Sequence, residues 1–254
     1  MQYYVSGKER APRVQRLFNR IACRYDLIND LQSCFLHRLW KRRFINMAIK
    51  FLEGKKSPRC LDLCCGTGDI AIGLAEALRQ KGTFSEDAID ICGVDFCTEM
   101  LTIAKERAQK RTCTYIRWQQ ADVLRFSDDL GGYDVVTCAY GVRNLADIPL
   151  ALTKMRQLLR PGGLLLILEF GKPDFFLMRW FYRLYLKFGV PIIGFLVCHD
   201  VHAFSYILDS LDHYPGQHGI TKILENPDSG FQDVRCYSII GGTMTIHRAK
   251  ANTQ

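Results

Sequence analysis

The sequence predicts an α/β fold: a mostly parallel, seven-stranded sheet covered by helices, with a C-terminal antiparallel hairpin and an N-terminal helical cover. Three observations carry this. Between residues 59 and 170, short apolar runs alternate with longer helical patterns, the order that builds a parallel sheet from strand–helix–strand units. Those runs are apolar throughout, as strands covered on both faces are. The last two runs, 231–239 and 243–248, are joined through Ile240-Gly241-Gly242 and read as a hairpin.

Each element has its own signal. Val14, Leu17, Phe18 and Ile21 follow helical spacing, with Arg13, Arg16, Arg20 and Arg24 on the other side, which makes an amphipathic helix with a basic face. Leu36, Leu39, Trp40, Phe44, Met47, Ala48 and Phe51 repeat the pattern, with Arg43 as a basic intruder, before Pro58. Strands are expected at 59–63, 89–95, 115–119, 133–139 and 164–170, with helices at 69–80, 99–110 and 149–160 between them. Thr98 suits an N-cap, Pro149 a first helical turn, and Pro161-Gly162-Gly163 a helix stop.

Composition sets limits on function. The chain has 254 residues, 48% apolar and 11% aromatic, too rich in core-forming side chains for a disordered chain. Uncharged runs such as 188–199 are shorter than the roughly 18 apolar residues of a spanning helix. Eleven cysteines, an odd number, with no export signal in Met1-Gln2-Tyr3-Tyr4-Val5-Ser6, point to a reduced, cytoplasmic compartment. The net charge of +8 is uneven: residues 1–43 hold ten Lys/Arg against three acids, and the rest hold 24 against 23. That end is suited to an anionic partner, or is a solvated helix face.

The ligand signal lies in Leu61-Asp62-Leu63-Cys64-Cys65-Gly66-Thr67-Gly68-Asp69, which joins the first strand to its helix. Gly66 and Gly68 permit a tight turn and close ligand approach at a helix N-terminus. Asp95 ends the next strand, placed for ribose hydroxyls, and Asp122 ends the third, placed for an adenine amino group. Gly66-x-Gly68-x-x-Ala71 also satisfies the loose dinucleotide pattern, so a nicotinamide-dependent oxidoreductase stays open as an alternative. The carboxylates of Asp62 and Asp69 disfavour a pyrophosphate and suit a cationic or zwitterionic ligand. S-adenosylmethionine is one, and Asp-x-x-x-Gly-x-Gly is the usual loop of the Rossmann-like class I methyltransferases that bind it.

Further motifs resemble one family. Phe18-Asn19-Arg20-Ile21-Ala22, Tyr25-Asp26-Leu27-Ile28-Asn29 and His37-Arg38-Leu39-Trp40-Lys41 are similar to the opening signature of the ubiquinone/menaquinone biosynthesis C-methyltransferases. Gly93-Val94-Asp95-Phe96, Tyr140-Gly141-Val142-Arg143-Asn144 with Asp147, and Leu168-Glu169-Phe170-Gly171-Lys172-Pro173 follow in the family's order. Cys34-Phe35 departs from its usual Leu-Gly, and Pro227 stands where relatives complete a helix. The resemblance implies methyl transfer from S-adenosylmethionine to a ring carbon of a polyprenylated quinol, of the menaquinone or ubiquinone series. It implies donor contacts at Thr67, Asp95, Asp122, Val123 and Ala139; with the loop residues Asp62, Gly66 and Gly68, and Phe96 after Asp95, these are the expected donor site. A donor-binding subunit without turnover is the other alternative.

Carbon is a poor nucleophile until the neighbouring ring hydroxyl, with a pKa of about 10, loses its proton. Arg143 is expected to stabilise the developing phenolate, Asn144 to orient a water or ring oxygen, and Tyr140 to meet the ring. The base would be a water, Tyr25 or Asp26; Tyr25, Asp26 and Tyr206 are expected on the acceptor side. The segments are then a cover (1–57), a donor-binding core (58–173), an apolar insertion on the acceptor side (174–218) and the hairpin region (219–254) of one domain.

In the insertion, Arg179, Arg183 and Lys187 share a helical stripe among Phe175, Phe176, Trp180, Phe181 and Tyr185, the composition of a helix at a lipid interface. An anionic membrane, met peripherally, is the expected partner; a homodimer or core helix is the bland reading of the same stripe. No nucleic acid is expected, nor a metal, since Cys60, Cys64, Cys65, His199 and His202 form no paired ligand set. His37 and His247 are expected to be structural, without identifiable partners.

Overall fold

The computed structural model describes residues 10–82, 88–127, 132–198 and 202–253. Five strands run parallel: β1 (Arg59–Leu63), β2 (Asp90–Asp95), β3 (Arg117–Gln120), β4 (Tyr133–Ala139) and β5 (Leu159–Phe170). β6 (Phe231–Ile239) and β7 (Met244–Ala251) form the hairpin, with β7 antiparallel to β5. The order is β3-β2-β1-β4-β5-β7-β6. Chain order reverses between β1 and its two neighbours, and ligands of open α/β sheets bind beyond the strand C-termini at such a point.

The helices are α1 (Arg10–Ile21), α2 (Tyr25–Gln32), α3 (Leu36–Leu52), α4 (Asp69–Gln80), α5 (Thr98–Lys110), α6 (Ile148–Leu158), α7 (Phe176–Leu184), α8 (Val190–Cys198), α9 (His202–His213) and α10 (Gly216–Glu225). Successive strand residues face opposite sides. Leu61, Leu63, Val136 and Ile167 pack with Val14, Leu17, Ile21 and Ile28 of α1 and α2. Cys60, Val135, Leu164 and Leu166 pack with Phe44, Ala48 and Leu52 of α3 and with α4. The N-terminal segment therefore grips both faces of the sheet, and its middle crosses the strand ends.

Several local expectations shift. The helix expected at 149–160 ends at Leu158, and Pro161-Gly162-Gly163 lies within β5. There the pairing jumps from Tyr133↔Leu159 to Val135↔Leu164, so the Pro-Gly-Gly interrupts a strand instead of stopping a helix. Thr98 is the first residue of α5, not its cap, and the Cys97 amide before it is held by Asp95. Asp147 caps α6, its carboxylate accepting from the Leu150 amide at 2.9 Å, with Pro149 in the first turn as expected. β3 starts at Arg117 because Cys113 and Ile116 are tucked into the core before it. The two family departures are accommodated locally. Cys34 and Phe35 both adopt positive φ, 47° and 63°, and Pro227 opens a short 3-10 turn capped by Asn226.

The α7–α8 segment, continuous through a π turn at Tyr185–Gly189, covers little of the core. Phe176 is 76% exposed and Trp180 51%, and Phe181, Phe188, Ile192 and Phe195 are exposed with them. Among the described residues, no helix is long and apolar enough to cross a membrane.

Candidate functional site

The loop after β1 turns through Cys64, Gly66 and Gly68, with φ of 55°, 53° and 83°. The two glycines have different reasons. A Cβ on Gly66 would meet nothing within 4 Å, so that position leaves the backbone open to a ligand. A Cβ on Gly68 would stand 2.7 Å from the Trp118 ring, so Gly68 is required by packing and by its left-handed turn into α4.

Beside Gly66 lies a cavity of about 220 Å³ at the strand C-termini. Gly66, Asp95, Phe96, Asp122, Val123 and Ala139 line it from the sheet side, joined by Tyr140 and Asn144. Phe18 and Tyr25 line it from the cover. The Asp95 carboxylate is buried and accepts from the amides of Gly66 at 2.8 Å and Cys97 at 2.9 Å. Burial raises its pKa. Asp122 accepts from the Leu124 amide at 2.9 Å with one oxygen. Six of the nine expected donor residues thus meet in one wall; Asp62, Thr67 and Gly68 do not line this cavity.

Asp62 and Thr67 line a smaller adjoining cavity of about 40 Å³, with Lys41 and Asp69. Here the cover is tied to the loop by charge. Lys41 Nζ donates to Asp69 at 2.6 Å, and Arg107 reaches Asp69 at 2.9 Å and Asp26 at 2.8 Å. Thr67 Oγ1 donates to Asp26 at 3.1 Å and accepts from Arg107 at 2.8 Å. Asp26, expected to face the acceptor, is held in this network instead. Asp69 is neutralised twice, which weakens the electrostatic case against a pyrophosphate. Asp62 accepts from Thr137 Oγ1 at 2.7 Å and the Ala71 amide at 3.2 Å, and burial pushes its pKa up to about 7.

On the other side of the cavity, Tyr140 has φ 59° and a buried hydroxyl with no hydrogen-bond partner. Burial drives its pKa far up. Tyr25 is likewise pushed up to about 12 by burial, so neither phenol is a base near neutrality. Arg143 corrects the sequence reading most. It is 4% exposed, and its guanidinium donates to Glu169 at 2.6 Å and to the Tyr140 carbonyl at 2.9 Å, lying over the Phe170 ring at 4.5 Å. It lines a cavity of about 30 Å³ next to the donor cavity, not the donor cavity itself. Arg10 braces this turn from the cover, donating to the carbonyls of Asn144, at 3.0 Å, and Arg143.

Glu169, Arg10, Lys41 and Arg107 were not singled out as site residues in the sequence. For Glu169 a signal exists: a lone acid ending the apolar run 164–168, the same sign that marks Asp95. His37 does have a partner, Asp30 at 2.8 Å, and His247 meets the Gln217 carbonyl at 3.1 Å; both are buried and structural. The side chains of Tyr206 and His202, and all of His199, lie outside the described residues. Among the described residues no group of three ligating side chains could hold a metal.

Comparison with known proteins places the chain in a family. The model of the ubiE/COQ5 methyltransferase family matches residues 5–251. A 2-phytyl-1,4-naphthoquinone methyltransferase of Nostoc punctiforme is 39% identical over 92% of this chain and 96% of its own length. A demethylmenaquinone methyltransferase of Staphylococcus aureus is 31% identical over 98% of both chains. In structure, the magnesium protoporphyrin IX methyltransferase of Synechocystis with bound S-adenosylmethionine superposes with a TM-score of 0.62 at 15% identity, over 98% of this chain and 100% of that one. The C-methyltransferase domain of the citrinin polyketide synthase gives 0.63 at 13% identity, over 88% of this chain and 56% of that one.

Proposed function

The chain belongs to the ubiE/COQ5 methyltransferase family and is an S-adenosylmethionine-dependent methyltransferase, and from that premise we propose that it methylates a ring carbon of a polyprenylated quinol in menaquinone or ubiquinone biosynthesis. The observation that carries the reading is the shared wall: Phe18, Tyr25 and Tyr140 line both the donor cavity and a second, mostly apolar cavity beside it. The rings of Phe18, Tyr25 and Tyr140 in that wall suit contact with a flat aromatic acceptor. The oxidoreductase and inactive-subunit alternatives are not favoured by the family match.

The residues present fit the donor. Asp95 and Asp122 keep lone pairs toward the cavity for ribose hydroxyls and an adenine amino group, and the Gly66 backbone is open beside them. Lys41 and Asp69 offer both charges to an amino-acid end, with Asp62 in the same wall. When bound, S-adenosylmethionine supplies an electrophilic methyl group on a sulfonium. The protein's part is alignment, then charge control at the acceptor. The Tyr140 hydroxyl, being a donor at all working pH, hydrogen-bonds a ring oxygen as it loses its proton. Arg143 acts from behind, its positive charge lowering the proton affinity of the Tyr25 and Tyr140 hydroxyls. Asn144, in the cavity wall, orients a water that takes the ring proton. The deciding experiment follows labelled methyl transfer from S-adenosylmethionine to prenylated benzoquinol and naphthoquinol; incorporation into neither would refute the reading.

The exposed face of α7 and α8, flanked by Arg179, Arg183 and Lys187, is the docking surface on an anionic bilayer where such an acceptor resides. A second copy of the chain is the competing occupant, and sedimentation without lipid distinguishes it.

A further inference from the structure

A cavity of about 360 Å³, larger than the donor cavity, lies between the chain leaving β5, α7, α9 and the start of α10. The two share no lining residue, and methyl transfer makes no use of this one. Its wall holds four basic side chains, Lys172, Arg179, Arg183 and His218, against two acids. Each acid already has a partner: Asp212 accepts from Arg183 at 2.8 Å, and Asp174 meets His218 at 2.8 Å. Lys172 and Arg179 are left over. Among the described residues they meet backbone carbonyls in place of carboxylates. Lys172 Nζ donates to the Asp212 carbonyl at 3.4 Å, and Arg179 to the carbonyls of Pro173 at 2.7 Å and Asp174 at 3.2 Å. Lys172 is also fixed at its root. The buried Gln217 side chain accepts from its amide at 2.8 Å and donates to its carbonyl at 2.6 Å. A Cβ on Gly216 would stand 3.1 Å from the Lys172 side chain, so that stem lies along the start of α10. Burial lowers the pKa of this ammonium, outweighing the pull of Asp212.

We propose that this cavity holds the phosphate of a phospholipid headgroup between Lys172 and Arg179, with the lipid chains leaving over Phe176 and Trp180. A guanidinium and an ammonium in one concave site suit a phosphate, the first offering paired donors and the second a point charge. The volume is at the lower end of small-molecule sites, roughly 300–1,000 Å³, which leaves room for the esterified part of a headgroup beside the phosphate. The source of the phosphate follows from what adjoins the cations. Arg179 and Arg183 stand three residues beyond Phe176 and Trp180 on α7, so each cation has an exposed ring as its neighbour on the helix surface. A free phosphate has no use for those rings. This source rests on the docking-face reading above. It adds one defined headgroup per chain, where a basic stripe alone gives diffuse attraction.

Calorimetry of the full chain with dihexanoyl phosphatidylglycerol, kept below its micellar concentration, and with inorganic phosphate tests the site. The lipid should bind saturably, one molecule per chain, and about ten-fold or more tighter than inorganic phosphate because the rings add apolar contact. Lys172→Gln and Arg179→Gln should each weaken it about ten-fold, the worth of one charge-assisted hydrogen bond. Lys187→Gln, on the same helical stripe but outside the cavity, should leave it unchanged. Asp212→Asn removes a competing charge and frees Arg183, so it should tighten binding about two- to five-fold, a gain that a misfolded variant cannot give. Unchanged affinity for S-adenosylhomocysteine in all these variants reports an intact fold. No saturable binding of the soluble lipid, or equal losses in Lys172→Gln and Lys187→Gln, overturns the site. Inorganic phosphate binding as tightly as the lipid overturns the lipid source. Wild-type protein that floats with phosphatidylglycerol vesicles yet binds no soluble lipid loses this site and keeps the docking face; protein that does neither loses both.

Discussion

Replacing Glu169 by leucine strands a guanidinium inside the protein, and the size of the effect follows from its surroundings. Arg143 is 4% and Glu169 0% exposed, so solvent screens neither charge. Without Glu169, Arg143 keeps the Tyr140 carbonyl at 2.9 Å and the Phe170 ring, but loses the buried carboxylate that faces it at 2.6 Å. Breaking one side of such a pair costs about 3–5 kcal/mol. Arg143→Met costs somewhat less, about 2–4 kcal/mol. The remaining carboxylate still accepts from the amides of Arg143 at 3.1 Å and Phe170 at 2.9 Å. In the double variant no charge is buried; two unpaired amides remain, and the loss should be close to that of one single variant. The expected coupling is therefore at least 2 kcal/mol, read from urea unfolding midpoints at constant m-value. Additive losses, within about 0.5 kcal/mol of the sum, would show that the two residues do not act as a pair.

Three further outcomes are expected. Asp62 holds its proton in the folded protein up to about pH 7 against an ordinary 3.8, so the unfolded chain binds fewer protons between those values and stability falls as pH rises through that window. Asp62→Asn removes the fall; its urea midpoint should gain on wild type between pH 5 and pH 8, and an unchanged gap refutes the assignment. Phe35→Gly should stabilise the protein by about 0.5–1 kcal/mol, because it relieves a φ of 63° that a side chain resists, less the exposed Arg38–Phe35 contact at 5.2 Å; a lower thermal midpoint contradicts this. Trp180→Ser with Phe181→Ser should cut partitioning onto anionic vesicles about ten-fold or more with no change in stability, since both rings are exposed; flotation at unchanged recovery counts against the docking face.

The sheet was legible because parallel strands buried on both faces read as continuous apolar runs, and every expected strand occurs within about five residues of its place. Where the reading slipped, a local signal had two meanings. Pro161-Gly162-Gly163 breaks helices and strands alike, and only its partner strand shows which. In the site, residues that end strands were legible from sequence alone: Asp95, Asp122 and Ala139 all reach the cavity. Partners from remote segments were not. Nothing near Arg107 in the sequence says that it bridges Asp26 and Asp69, or that Arg10 holds carbonyls more than a hundred residues away. Arg143 was legible from its motif, but its pairing with Glu169 was not, because a motif reports that a cation is needed and not which buried acid holds it.

The N-terminal charge excess changes meaning once its partners are known. Arg10, Arg38 and Lys41 are engaged by the turn at 143–144, by Asp30 and by Asp69, while Arg16, Arg42 and Arg43 remain exposed. Part of the basic end is therefore a fastening for the cover, and only the exposed remainder is left to serve the proposed docking on an anionic surface. Fastening by charge has a consequence at this place in the fold. The loop end of the cover is held by ion pairs and hydrogen bonds to Asp26, Asp69, Thr67 and the Phe96 carbonyl, several of them partly solvent-exposed. Water substitutes for such contacts with little loss. Its far side is held by Val14, Leu17, Ile21 and Ile28 in the sheet core, for which water is no substitute. A cover built this way is held less firmly at the donor loop than on its apolar side.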